Sequence, residues 1–419
     1  MIKFLFALLF SIPLIAQKPF YAQFRYFHLE TDNEKSLPDY AANAMGAELG
    51  FSHSFGEKVQ LDLSGSLSTS FLHSTNLATS RYEIGLFDQV NTNNLDLLTR
   101  IEKASLTYQN KKIKIKLGRQ VLNTPFINPQ DGRMRPSAEG GIFAEYGRFT
   151  FGYFYEMAPR GTMAWSSVAE SIGYYPTGVD SDGKKSTYAG HLSSSGIFMA
   201  GMDQKWYGIR FKFHDLFVDN IVQSAFISAE YTTSIPHGKW INGLQLIKQH
   251  ALGDNLYFEK NTHSLVVSMK TGIEYPRWNA SLNFTSISPE GRYLMPREWG
   301  KDPFYTFMPR ERNEGLGDLK AYVAKFSYGI PQWGIKINPS MGYFDLPSVT
   351  NFKLNKYGMP SYIQTNFEIL IDASKMAKGL DFQFLFANKM NQADSMENPK
   401  YIQNKVNMNS WNFVVNYRL

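Results

Sequence analysis

From residue 20 onward the dominant period of apolar and polar side chains is two. The last stretch shows it most clearly. Trp411, Phe413, Val415, Tyr417 and Leu419 fall on one face, and Asn412, Asn416 and Arg418 on the other. The same alternation sets Phe24 and Tyr26 against Gln23 and Arg25, and Leu61, Leu63 and Leu67 against Asp62, Ser64, Ser66 and Ser68. It recurs with Ile113, Ile115 and Leu117 against Lys114 and Lys116, Ile209, Phe211 and Phe213 against Arg210 and Lys212, and Phe382, Phe384 and Phe386 against Asp381 and Gln383. Such runs are about ten residues long, which is what a tilted strand needs to cross a bilayer, and their two faces suit lipid and water.

Counting these runs predicts eighteen strands, from 21–29 to 404–419, with the eighth at 190–201 and the ninth at 205–214. Tight turns are predicted at Gly56-Glu57, Asn110-Lys111, Gly147-Arg148, Pro236-His237-Gly238, Pro276-Arg277 and Pro331-Gln332, with long polar connections between them. The predicted fold class is therefore all-β, a transmembrane antiparallel β-barrel of about 18 strands with long outer loops and short periplasmic turns. An even strand count returns both ends to the periplasm. A soluble sandwich or propeller would instead require apolar cores on the inward faces.

Composition narrows the class further. Aromatic residues make up 15% of the 419 residues, yet mean hydropathy is −0.31. After the first 22 positions no apolar run approaches the roughly 18 residues of a spanning helix. Residues 1–16 read as a signal peptide, with Lys3 before an apolar run from Phe4 to Ile15 and a small-residue cleavage point at Ala16-Gln17. The mature chain 17–419 is expected to be one barrel domain in the outer membrane of a Gram-negative cell. The absence of cysteine agrees with export and excludes thiolate metal sites and a cysteine nucleophile. A net charge of +6 carries no Lys/Arg block, zinc spacing or arginine-rich arm, so nucleic acid is not an expected partner.

Chemistry is sparse. The eight histidines form no HExxH arrangement, and no Gly-x-Ser-x-Gly or Walker-type loop occurs, so neither catalytic residues nor a metal or cofactor is assigned. His214-Asp215 reads as a turn-initiating Asp beside a surface His. A Ser–His dyad assembled in space, making a membrane-embedded hydrolase, is the enzyme alternative. A non-conducting adhesin or structural barrel is the other.

Two connections, 122–139 and 289–317, are long, rich in Pro and aromatics, and interleave opposite charges, a composition suited to structured loops. The run Gly118-Arg119-Gln120-Val121-Leu122-Asn123-Thr124-Pro125-Phe126 with Asp131-Gly132-Arg133-Met134-Arg135-Pro136 resembles the third-loop region of the OprD-type family of substrate-specific outer-membrane porins. The segment from Arg297-Glu298-Trp299-Gly300 to Arg310-Glu311-Arg312-Asn313-Glu314-Gly315 resembles the seventh-loop region of the same family. Tyr417-Arg418-Leu419 is similar to the terminal signature read by the barrel assembly machinery.

The resemblance implies an eighteen-stranded barrel, narrowed by loops three and seven, that passes a small polar solute and works as a monomer or loose trimer. It also implies basic side chains on one wall facing an electronegative patch. Inward parity places Arg25, Lys114, Lys116, Arg210, Lys212, Lys270, Lys325, Lys336 and Arg418 in the lumen with Glu48, Asp62, Glu145, Glu156, Glu230, Glu274, Glu368, Asp372 and Asp381. Nine against nine gives no net selectivity, so local arrangement must decide. Arg133 and Arg135, facing Arg297, Arg310 and Arg312, are expected to form the constriction, with Asp131 and Glu314 holding them and Arg135 foremost. Such an eyelet attracts the carboxylate of an acidic or zwitterionic solute.

Overall fold

The computed structural model describes residues 19–75, 77–130, 132–254, 256–258, 262–393 and 398–419. The expected signal segment and Asp131 lie outside the described residues. Eighteen long strands follow one another: β1 (Phe20–Asp32), β2 (Tyr40–Phe55), β3 (Val59–Ser70), β4 (Leu98–Gln109), β5 (Ile113–Gln120), β6 (Ala138–Tyr146), β7 (Phe149–Ala158), β8 (Ile197–Trp206) and β9 (Ile209–Val218). The second half comprises β10 (Val222–Ile235), β11 (Gly238–Ala251), β12 (His263–Glu274), β13 (Trp278–Ile287), β14 (Leu319–Ile330), β15 (Ile335–Asp345), β16 (Tyr362–Asp372), β17 (Leu380–Asn391) and β18 (Met408–Arg418). Each pairs antiparallel with its neighbours, and β1 pairs with β18 from Gln23↔Arg418 to Asp32↔Asn409, so the sheet is a closed barrel. Closure leaves no edge strand unpaired.

Connections alternate as expected. One end carries the short turns. The other carries nine loops, L1 to L9, of which L2 (71–97), L3 (121–137), L4 (159–196), L6 (252–262), L7 (288–318), L8 (346–361) and L9 (392–407) are the longer ones. A two-residue strand in L4, Ser166–Ser167, pairs with Glu156 and Met157 of β7.

The eighth and ninth strands lie several residues beyond their predicted positions. Gly201 lies in the middle of β8. A Cβ there would stand 2.5 Å from Thr150 Oγ1 and 2.8 Å from the His214 ring, so this glycine makes room for neighbours within the sheet. The turn sits instead at Tyr207-Gly208, both with positive φ.

Outward positions such as Leu49, Leu106, Phe151, Leu244, Leu282 and Met341 are exposed apolar side chains, the band that lipid requires. Inward positions differ along the barrel axis. Near the short turns they are polar, and acids pair with bases across adjacent or next-but-one strands: Lys114 with Glu145 (3.6 Å) and Arg418 with Asp381 on adjacent strands, Lys103 with Glu48 (3.1 Å) and Lys116 with Asp62 (3.9 Å) over an intervening one. Near the loops they are apolar: Leu216, Val222, Ile287, Leu319, Phe344 and Tyr362 belong to one buried cluster with Phe126 and Ile127 of L3 and Tyr293, Trp299 and Phe304 of L7. The apolar core is therefore a plug of inward-folded loops at one end of the barrel. Period two continues through it, but the inward side meets protein instead of water.

A β-bulge in the β3–β4 ladder, where Ser64 pairs with Lys103 and Gly65 with Ile101, adds a second correction to simple parity. Past it Ile101 faces outward and exposed, while Arg100 and Glu102 turn inward and are buried. They form an ion pair of 2.6 Å, and Arg100 also donates to the carbonyls of Pro136, Pro159 and Thr162. The wall thereby grips L3 and L4.

Because Leu282 sits mid-strand and outward, Leu282→Arg is expected to destabilise the barrel in bilayers by about 2–4 kcal/mol, measured by urea titration in lipid vesicles. The same change at neighbouring, lumen-facing Ser281 is expected to cost far less.

Candidate functional site within the barrel

L3 and L7 meet directly. The Asn128 amide accepts from Lys301 N and donates to Lys301 O, both at 3.0 Å, while Asn128 N donates to Trp299 O. Ser137 Oγ donates to Glu298 O at 2.9 Å. Gly300 between them has φ +151°, and any Cβ would stand 2.6 Å from Asn128, so only glycine permits this approach. Trp299 is wholly buried and donates its indole N–H to Ser171 Oγ of L4. The two runs singled out in the sequence are thus one folded unit.

The wall holds that unit by inward polar groups. Lys325 of β14 donates to the carbonyls of Tyr305 (2.7 Å) and Phe307 (2.8 Å). Gln364 and Asn366 of β16 donate to Pro309 O. Ser268 of β12 accepts from Tyr305 N, and Thr285 of β13 bonds Thr306. Lys325, one of the expected basic wall residues, thereby clamps L7. Arg25 is similar: it donates to Arg133 O (2.7 Å) and to Asn416.

Between the loops and the wall of β1 and β16–β18 lies a cavity of about 270 Å³. Among the described residues, seven cationic side chains line it, Arg81, Arg133, Arg160, Lys301, Arg310, Arg312 and Lys389, against Glu311, Glu314 and Glu368. Few of these cations meet a carboxylate. Arg133 donates to Gly132 O, Arg160 to Gln130 O, and Arg310 to Asn412 Oδ1 while stacking over Tyr82. Burial, then the neighbouring Arg160 and Arg310, hold the Arg133 guanidinium well below the ordinary arginine range. Arg312 is half-buried, and among the described residues no ion pair or hydrogen bond occupies it. Glu314 is buried and saturated: Arg297 lies at 3.5 Å, Lys356 at 3.4 Å, and the Tyr357 hydroxyl donates at 2.9 Å.

Of the residues expected at the constriction, Arg133, Arg310, Arg312 and Glu314 line this cavity. Arg297 and Arg135 stand behind it. Arg297 packs over the Tyr357 ring at 4.5 Å. Arg135 is buried, donating to Ser68 Oγ of β3 and contacting Met163 Sδ. Alternate residues of an extended loop point opposite ways, and Arg133 takes the cavity side. Lys114, Lys116, Arg210 and Arg418 are held in wall ion pairs, Lys212 faces the lumen below the loops, and Lys336 lies exposed near a short turn. Arg81, Tyr82, Arg160 and Lys389 were not foreseen. They come from L2, L4 and β17, and no local motif marks them.

Two carboxyls of L7 are buried with no cation in contact among the described residues. Burial, then neighbouring Asp302, pushes Glu311 up to about 8, and burial, then Glu314, pushes Asp302 up to about 7.

No family model matches the chain, and no curated protein does. Solved structures do. OccAB3 of Acinetobacter baumannii is 16% identical, with a TM-score of 0.76 over 96% of this chain and 98% of that one. OccK9 (OpdG) of Pseudomonas aeruginosa is 13% identical, with a TM-score of 0.76 over 97% and 99%. OpdK of the same organism, solved with vanillate, is 13% identical, with a TM-score of 0.74 over 96% and 98%. The chain has the OprD-type porin fold. At such identities the likeness covers the eighteen-stranded barrel and its loop order, and the side chains that line the cavity are this chain's own.

The raised carboxyls give L7 a pH dependence. Packed, Glu311 and Asp302 keep protons that they lose above about pH 4 when the loop is unpacked. L7 is therefore held most firmly near pH 4 and progressively less firmly toward pH 8. Hydrogen exchange of 301–314, corrected for its intrinsic pH dependence, is expected to show protection falling across that window, and falling less in Glu311→Gln.

Proposed function

We propose that this chain is an outer-membrane porin, exported with removal of residues 1–16, that passes small polar solutes by diffusion and favours those bearing a carboxylate. The observation that carries this reading is the cavity in which, among the described residues, seven cations face three carboxyls. The imbalance is larger than the count. Glu311 is held toward its neutral form, and Glu314 is already engaged by Arg297, Lys356 and Tyr357. What remains for a solute is the guanidinium of Arg312, with the partly satisfied Arg133, Arg160 and Arg310 beside it. A carboxylate entering there gains charge-assisted hydrogen bonds that water-exposed cations would not offer.

Support for a carboxylate also comes from OpdK, which was solved with vanillate, itself a small carboxylate. Glu368 supplies the electronegative counterpart. It accepts from the amides of Asn338 and Gln383, both at 2.8 Å, and among the described residues no cation pairs with it. A zwitterion finds both signs within one cavity. Its carboxylate belongs at Arg312 and its ammonium toward Glu368.

Purified protein in planar bilayers is expected to conduct in discrete steps, with reversal potentials in a salt gradient that favour anions. Arg312→Ala should move selectivity toward cations, more at 0.1 M than at 1 M salt, because the Debye length falls from about 10 to about 3 Å. Arg135→Ala should leave the reversal potential unchanged, since that side chain stands behind the cavity. Protein that is folded by heat-modifiability yet never conducts would overturn the porin reading and favour an adhesin or structural barrel.

A further inference from the structure

One buried ammonium joins four of the outer loops. Lys356 of L8 is only 2% exposed, and its Nζ lies 5.0 Å from the ring centre of Tyr188 of L4, 4.9 Å from that of Tyr257 of L6 and 5.3 Å from that of its neighbour Tyr357. The rings of Tyr188 and Tyr257 meet edge to face at 4.9 Å, closing two sides of the cage. The open side holds Glu314 of L7, whose carboxylate stands 3.4 Å from the ammonium. Three aromatic faces and one carboxylate around a single desolvated cation form a complete binding site for an ammonium ion, occupied by the protein's own lysine.

The surrounding backbone shows what this occupant holds. Lys356 N donates to Gly315 O of L7, and Val179 N of L4 donates to Lys356 O, both at 2.9 Å. A Cβ on Gly315 would lie 2.5 Å from the Tyr357 ring, and one on Gly178 would lie 2.6 Å from Lys356 O, so the loops pack with no slack at this point. Lys405 of L9 donates to Tyr357 O from the far side. Glu314 and Arg312, which this junction places, are lining residues of the cationic cavity.

We propose that Lys356 is the positioning residue for the constriction: its caged ammonium ties L4, L6 and L8 to Glu314 of L7 and so sets the aperture and the place of Arg312. The inference rests on the channel reading for its functional consequence, although the junction itself does not. Without the ammonium, Glu314 loses one of its two cations and the three tyrosines surround an empty polar hollow. L7 is then free to shift on the wall. The vacated cage retains the chemistry to take a small alkylammonium from solution.

The test uses full-length Lys356→Ala, with folding verified by heat-modifiability. Its open-channel current noise is expected to rise at least threefold over wild type, with a shift in reversal potential. Millimolar n-propylammonium, which replaces the missing side-chain atoms and charge, should reverse both changes, whereas n-propanol should not. A second readout needs no conduction: chymotryptic cleavage of L7 within 293–307 should accelerate at least threefold in the variant and be slowed by n-propylammonium alone. If wild type conducts and Lys356→Ala matches it in noise, reversal potential and cleavage, the positioning role is overturned. Increased noise and cleavage that propylammonium does not relieve would overturn it too, since the loss would then be one of packing. If wild type never conducts, the porin reading fails, and the cleavage assay still decides whether the caged ammonium holds the loops.

Discussion

A main chain that passes through hydrocarbon must satisfy its own N–H and C=O groups, and here the ladder that runs around the barrel and closes β1 on β18 does so. Everything else in the molecule follows from that closed ladder. It forces side chains to alternate between outside and inside, which gives the apolar band its exposure and the lumen its supply of Lys, Arg, Glu, Asn and Ser. It also fixes where the loops can be anchored, because only inward side chains reach them. Lys325, Gln364, Asn366, Ser268 and Thr285 hold L7 from consecutive or nearby strands. The wall acts on the loops through hydrogen bonds to their carbonyl, amide and hydroxyl groups.

The distribution of ion pairs explains how a nearly balanced lumen can still have a local sign. Toward the short turns, acids and bases on adjacent or next-but-one strands neutralise one another, and exposed pairs of that kind contribute roughly 0–1 kcal/mol each. Near the loops the same residue types are sorted differently. Glu314 at the cavity is engaged by Arg297 and Lys356, Glu102 is paired with Arg100 in the wall, and the guanidiniums of Arg160 and Arg310 are held by carbonyl and side-chain amide oxygens, which orient them without cancelling their charge. Field strength in the cavity therefore comes from the choice of partner. Counting charges along the wall does not reveal it.

Strand number, order and most of the inside–outside parity were legible because period two survives along the segments, the bulge in β4 apart, and because turn residues such as Gly56, Gly147 and His237 mark one end. The eighth strand is expected too early because 190–196, with Ser193 to Ser195 and Gly196 among them, belongs to L4, and the strand begins at Ile197. The apolar inward positions near the loops had no distinct signal, since Leu319 or Phe344 reads the same whether it faces lipid or a folded loop. L3 and L7 were visible as composition and as resemblance. The division of labour inside them was not, for Arg133 and Arg135 differ only in which way an extended chain points. Arg81, Tyr82, Arg160 and Lys389 reach the cavity from separate parts of the sequence, and only the fold brings them together.

The pairing of β1 with β18 also sets a schedule for the molecule's birth. Its partners, Phe24 with Tyr417 for example, are among the most distant in the chain, while every other ladder joins successive strands. Hairpins can form one after another as they emerge, yet the first strand must wait with an open edge until β18 exists. Chain-entropy cost is thus concentrated in one late event. Until it happens the intermediate is a curved sheet with two adhesive rims, which must be shielded from other chains on its way to the membrane.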